Sequence, residues 1–183
     1  MYILGKGGFA LSLAKWIHYK NIAFDGFISL DSDIPILFTP SGITKTFDYP
    51  QSAKFVLGTT NTRWRARFLQ QLKEHYPLSI SYFPNVILTD TIFYSDIGVG
   101  NIIMPNSILE NRSEIGDFNL FNLNSVLSYE SSVGNNNTID ISANILHRTH
   151  IKNNNFIGAK ACISQNIVLG SNNNIDIGEC LFE

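Results

Sequence analysis

The feature that most constrains this chain is a period of six. Stepping by six from Ile97 gives Ile97, Ile103, Leu109, Ile115, Phe121, Leu127, Val133, Ile139, Ile145, Ile151, Ile157, Ile163, Leu169, Ile175 and Leu181. Every one is large and apolar, with no gap or insertion. A helix needs a period of about 3.6 and a flat half-buried strand a period of two. A strict period of six sustained this far is the mark of a parallel β-helix assembled from hexapeptides.

The fourth position after each apolar residue is restricted as well. It runs Asn101, Ser107, Ser113, Asn119, Ser125, Ser131, Asn137, Ala143, Thr149, Asn155, Ala161, Ile167, Asn173 and Glu179, mostly small or polar residues suited to a tight corner. The pattern resembles the left-handed parallel β-helix, in which three hexapeptides make a triangular coil of about 18 residues. Residues one coil apart should then stack. Asn101, Asn119, Asn137, Asn155 and Asn173 form one such column, and Gly98, Gly116, Gly134 and Gly170 another, broken by Lys152. Of the 20 asparagines, 17 lie between Asn101 and Asn174, which alone would suggest low complexity. The column explains them differently: stacked carboxamides can hydrogen-bond from coil to coil and satisfy polar groups at the corners. Cys162 and Cys180 share a column too, at a strand spacing that permits a disulfide; in a reducing compartment free thiols are expected.

The first half follows other rules. Tyr2-Ile3-Leu4 reads as a buried strand, Gly5-Lys6-Gly7-Gly8 as a turn, and Phe9 to Tyr19 as a helix. A strand around Phe24 to Asp31, another at Lys54 to Leu57 and a helix from Thr62 to His75 follow. Strands alternating with helices imply a parallel sheet. The expected organisation is a Rossmann-like α/β domain over 1–84 and an all-β left-handed parallel β-helix over 85–183. A glycine-rich turn at a helix N-terminus can hold phosphate, and Asp31, ending the second strand, suits a ribose hydroxyl. A tight turn holding no ligand would use the same glycines.

Three stretches together resemble one family: Met1-Tyr2-Ile3-Leu4-Gly5-Lys6-Gly7-Gly8-Phe9-Ala10, Phe55-Val56-Leu57-Gly58-Thr59-Thr60-Asn61-Thr62-Arg63, and Ile103-Met104-Pro105-Asn106-Ser107. They are similar to the hexapeptide-repeat sugar acyltransferases, which acetylate nucleotide-linked amino sugars or sialic acid. The resemblance covers nearly the whole chain. It implies that Gly5, Gly7, Gly8, Asp31, Gly58, Thr59 and Arg63 bind a nucleotide sugar, with a uridine diphosphate carrier expected. It also implies acetyl-CoA as co-substrate, in the cleft between β-helices of a homotrimer. The family's catalytic histidine, followed by an acidic residue, maps to Ser128-Tyr129-Glu130, so Tyr129 replaces the histidine and Glu130 keeps its type. A phenol with a reference pKa of about 10 is a poor base at neutral pH. His147 lies eighteen residues on, one coil above Tyr129, and becomes the candidate base, with Glu130 or a neighbour to orient it. The family's further coils and Gly-Asn-Pro tail are not present before Glu183.

Composition narrows the classes. Hydrophobic residues make up 44% and charged residues 15%, which argues against a disordered chain. A net charge of −2 without a basic cluster argues against nucleic acid as the main partner. No apolar run approaches the ~18 residues of a membrane span, and the start lacks the features of a signal peptide, so a cytoplasmic location is expected. Two cysteines and scattered histidines do not supply the four ligands of a zinc site, and no metal is expected. The family resemblance implies acyl transfer from acetyl-CoA to a sugar amine or hydroxyl in bacterial surface-glycan biosynthesis. A second reading stays open: a catalytically silent nucleotide-sugar-binding or scaffolding homologue.

Overall fold

The computed structural model describes residues 1–29, 36–39, 42–44, 53–75, 83–90 and 95–182. The chain divides into two units, one formed by Met1–Thr60 with Trp64–Pro84, the other by Asn61–Arg63 with Asn85–Glu183.

In the first unit, β1 (Tyr2–Leu4), β2 (Gly26–Ser29) and β5 (Phe55–Leu57) are parallel, with β1 central. Helix α1 (Gly8–Tyr19) connects β1 to β2, and α2 (Thr62–His75) follows β5. Ala10, Leu13 and Ile17 form the buried stripe of α1, at the spacing that keeps residues on one helical face. Asn21, with φ 55°, ends the helix in the left-handed conformation that asparagine tolerates. The alternating pattern anticipates only parallel strands, and here the structure differs. Strands β3 (Ile36–Thr39) and β4 (Gly42–Thr44) extend the sheet as an antiparallel pair on the β2 edge, giving the order β4-β3-β2-β1-β5.

The second unit is a parallel β-solenoid of two-residue strands in three sheets of five, six and five strands. Each strand pairs with the one eighteen residues on, as in Glu114↔Ser132, Leu120↔Thr138 and Val126↔Asn144. The period-six residues from Ile103 to Ile175, with Ala143 and Ala161, form one continuous buried core, and Ile97 and Leu181 pack against its ends. Each fully buried aliphatic side chain contributes roughly 1.5–3 kcal/mol. A lone coil cannot offset its ordering entropy with three such residues, whereas a stack can.

Two features correct the simple repeat. The tight backbone turn lies at the third position after each apolar residue and not at the fourth. Fourteen consecutive third positions, from Gly100 through Asn106, Arg112 and Glu130 to Asn172 and Gly178, have positive φ. The fourth position is instead buried inside the corner, as at Ser107, Ser125, Asn137 and Thr149. The first turn is also shorter: Val86 pairs with Ile102, sixteen residues on.

The asparagine column is a hydrogen-bonded ladder. The Asn101 Oδ1 accepts from the Asn119 backbone N–H at 2.8 Å and the Asn119 Nδ2 at 3.2 Å. The Asn119→Asn137, Asn137→Asn155 and Asn155→Asn173 steps repeat this geometry. Asn85 starts the ladder by accepting from the Asn101 N–H at 2.9 Å. The sixteen-residue first turn hides it from an eighteen-residue count.

Candidate functional site

In the first unit, the β1–α1 and β5–α2 turns meet. Gly5 adopts φ 108°, a conformation that favours glycine, and its N–H donates to the Ile28 carbonyl at 2.7 Å. The Gly58 N–H donates to the Leu4 carbonyl at 2.8 Å. A Cβ on Gly58 would lie 2.4 Å from Ile3 and 2.9 Å from Ala10, so that position admits no side chain. Gly7 and Gly8 are different: a Cβ on either would meet nothing within 4 Å. Packing does not require them. Their lack of side chains leaves the backbone open where α1 begins and presents its unsatisfied N–H groups.

These turns line a cleft of about 520 Å³. It contains Gly5, Gly7, Gly8, Gly58 and Thr59, five of the expected nucleotide-sugar residues, together with Lys6, Phe9, Ser29, Thr60, Trp64 and Phe68. Asp31 lies outside the described residues. Arg63 is exposed on α2, groups with the second unit and does not line the cleft. Two residues further on, Arg65 is only 2% exposed, and its Nη1 donates to the Thr59 carbonyl at 3.3 Å. Burial pushes its guanidinium down to about 9. Arg65 is not among the residues that the resemblance marks. Its signal is the helical phase, since Arg65 and the buried Phe68 are three residues apart and share a face.

The second unit brings Tyr129 and His147 together. Their rings stack with centroids 4.9 Å apart and planes within 3° of parallel. Both follow short strands, Val126–Leu127 and Asn144–Ile145, which pair in register and fix the one-coil offset. Glu110 Oε2 accepts from the Tyr129 backbone N–H at 3.0 Å and from the Ser128 hydroxyl at 2.5 Å. Glu110 is not among the residues that the resemblance marks. It precedes Ser128 by one coil, which is the signal that could have found it.

Glu130 occupies a left-handed corner with φ 57°. Its carboxylate receives Arg148 Nε at 3.1 Å and Arg112 Nη1 at 3.3 Å. The hydrogen bond from Arg148, aided by Arg112, holds this carboxyl below the usual range. Among the described residues Glu130 makes no hydrogen bond to His147, so the expected orienting contact is replaced by the arginine pair. The His147 backbone N–H has no hydrogen-bond partner among the described residues either, while its carbonyl accepts from the Asn166 N–H at 3.2 Å.

A shallow groove of about 740 Å³ runs along the sheet that contains Glu114–Ile115 and Ser132–Val133, over Gly98, Gly116 and Gly134. No group of three or more metal-ligating side chains occurs among the described residues. No described helix is long and apolar enough to cross a membrane.

No family model and no curated relative matches the sequence. Solved structures do match its fold, acetyltransferases among them. The acetyltransferase domain of PglB from Neisseria gonorrhoeae aligns with a TM-score of 0.71 at 16% identity, covering all of this chain and 92% of that one. The same values hold for its complex with acetyl coenzyme A. PerB from Caulobacter crescentus, in complex with CoA and GDP-perosamine, aligns at 0.63 and 15% identity, over 93% of this chain and 90% of that one. WeeI from Acinetobacter baumannii aligns at 0.66 and 15% identity, over all of this chain and 95% of that one.

Proposed function

We propose that this protein transfers the acetyl group of acetyl-CoA to an amine or hydroxyl of a nucleotide-linked sugar. The reading rests on one observation above others: an open glycine-lined cleft and a β-solenoid with a His147 corner coexist in one chain, in a fold matched end to end by acetyltransferases. The first unit is read as Rossmann-like and the solenoid as left-handed. By the family resemblance the protein acts as a cytoplasmic homotrimer in bacterial surface-glycan synthesis, with acetyl-CoA between neighbouring solenoids.

In the cleft, the N–H groups at the start of α1 would receive the diphosphate. Gly7 and Gly8 leave room for its approach, and Trp64 and Phe9 offer apolar surface to the remainder. Gly58 and Thr59 form the opposite turn, which Arg65 braces from below. Asp31 is assigned to the ribose and Arg63 to the nucleotide sugar on the resemblance alone. A uridine diphosphate sugar is the first substrate to test, with guanosine diphosphate perosamine beside it, since PerB is solved with the latter.

At the corner, His147 is assigned as general base. It takes the proton from the acceptor nitrogen or oxygen as that atom attacks the thioester carbonyl carbon. The tetrahedral intermediate collapses with cleavage of the carbon–sulfur bond, and the coenzyme A thiolate leaves to take up a proton. The partnerless His147 backbone N–H is suited to donate to the oxyanion. Tyr129 supports the imidazole through the ring stack. Glu110 holds the corner backbone through the Tyr129 N–H, and Glu130 offsets one of the two positive charges of Arg148 and Arg112.

The test is steady-state kinetics with acetyl-CoA and the two sugar nucleotides. His147→Ala is expected to lower kcat by about 10²–10⁴, the usual share of a general base. Unchanged turnover removes His147 from the mechanism. Tyr129 in the catalytic position favours one other reading, a silent nucleotide-sugar-binding scaffold. Calorimetry separates the two: the enzyme binds both the sugar nucleotide and coenzyme A, and the scaffold binds the former alone.

A further inference from the structure

We propose that Cys162 and Cys180 form a dithiol–disulfide couple that staples one coil of the solenoid to the next. They are direct register partners in neighbouring parallel strands, Cys162–Ile163 and Cys180–Leu181. Two backbone hydrogen bonds clamp the pair: Cys162 N–H to the Glu179 carbonyl and Ser164 N–H to the Leu181 carbonyl, both at 2.8 Å. Neighbouring strands lie about 4.8 Å apart, inside the Cα separation of about 4.4–6.8 Å that a disulfide spans. Ile163 and Leu181 point into the core, so the alternation of a strand turns both cysteine side chains to the same outer face. Both thiols are free.

Their surroundings give them different tasks. Cys180 is exposed and Cys162 half-buried. Burial, and then the nearby Cys180, push the Cys162 thiol up. Cys180 is therefore the thiol an oxidant meets first, and Cys162 the one that resolves it. With a peroxide as oxidant, the Cys180 thiolate attacks a peroxide oxygen and the O–O bond breaks. This gives a sulfenic acid and a hydroxide that leaves as water. The Cys162 thiolate then attacks the Cys180 sulfur, the S–S bond forms, the S–O bond breaks, and a second water leaves. Two thiols lose two hydrogens, and the peroxide is reduced to two waters. The closed ring of one coil ties the strand at Cys180 to the strand at Cys162, which restricts local opening of that region.

Hydrogen peroxide added to the full chain tests this by thiol counting, non-reducing gels and peptide mass spectrometry. Both thiols are expected to disappear together within single chains, as a linked 162–180 peptide that dithiothreitol releases. Amide exchange over 162–182 is expected to slow by ~10-fold or more on oxidation. In Cys162→Ser, Cys180 should remain as a sulfenic acid that a dimedone probe captures. Thiols lost one at a time with oxygen added to each, thiols that link separate chains, or thiols that survive peroxide would each overturn the proposal.

Discussion

At the scale of single residues, the solenoid sorts side chains by backbone conformation before it sorts them by chemistry. The left-handed corner recurs every sixth residue, and asparagine occupies it at 106, 124, 136, 154, 166 and 172. A short side chain that bonds locally makes this conformation affordable. Asn124, exposed with φ 58°, isolates the effect. Asn124→Val should cost ~1–2 kcal/mol in urea unfolding, while Asn124→Gly should change stability by a few tenths. The ladder of Asn101 to Asn173 was readable because its spacing is regular. The corner asparagines were not, because the φ requirement sits one residue earlier and is shared with Arg112, Glu130 and Lys160. Glu130 carries a pH signature. Its folded carboxyl is lowered, chiefly by the bond from Arg148. Its contribution to stability is therefore complete above the unfolded value of about 4.3 and lost as pH falls through the lower folded value. A carbon-detected NMR titration should show the Glu130 midpoint below ~4.3, and Arg148→Ala should move it back toward that value.

At the scale of elements, the glycine column and the polar residue beside it work as one device. The Asn135 Oδ1 accepts from the Asp117 N–H at 2.7 Å, and the Asn153 Oδ1 from the Asn135 N–H at 2.7 Å. A Cβ on Gly116 would lie 2.3 Å from that Asn135 Oδ1 and 2.8 Å from the Gly134 carbonyl oxygen. The glycines keep open the space this second ladder occupies. Where Lys152 interrupts the column, Ser171 replaces the longer carboxamide and its Oγ accepts from the Asn153 N–H at 3.1 Å. Gly116→Ala should thus cost about 1–3 kcal/mol by overpacking. Gly170→Ala, whose Cβ has its nearest neighbour at 3.8 Å, should cost well under half of that in the same urea unfolding. The column itself stood out in the sequence; its purpose did not, because the residue that needs the space is nineteen positions away. In the other unit, Gly5 and Gly58 were legible as turn residues for similar reasons of close approach. Arg65 was less legible, because on a polar-looking helix only its three-residue spacing from Phe68 marks its face as the buried one.

At the scale of the whole molecule, the two units record their structure in the sequence in different ways. The solenoid repeats one local rule, so fifteen apolar positions were enough to anticipate its core and pairing. The first unit uses each motif once, and its antiparallel β3–β4 pair had no second copy to corroborate it. Pairing His147 with Tyr129 followed from the same column arithmetic. That the arginines, and not His147, hold Glu130 depends on how long side chains reach across coils, which no spacing encodes. The nucleotide sugar is assigned to the first unit and acetyl-CoA to the solenoid, so the proposed reaction needs both units in one chain.

The uniform register between Asp96 and Leu181 has a consequence for how such a gene can change length. Every inward side chain, ladder amide and left-handed corner is matched to a counterpart one coil away. A single inserted codon must be extruded at a corner as a bulge, or it puts every later column out of phase. Duplication of one whole coil preserves all of those matches. The turn beginning at Val86 keeps its pairing and its ladder contact at sixteen residues, so the eighteen-residue rule binds only from Asp96 onward. The repeat thus behaves as a ratchet that admits growth by whole teeth.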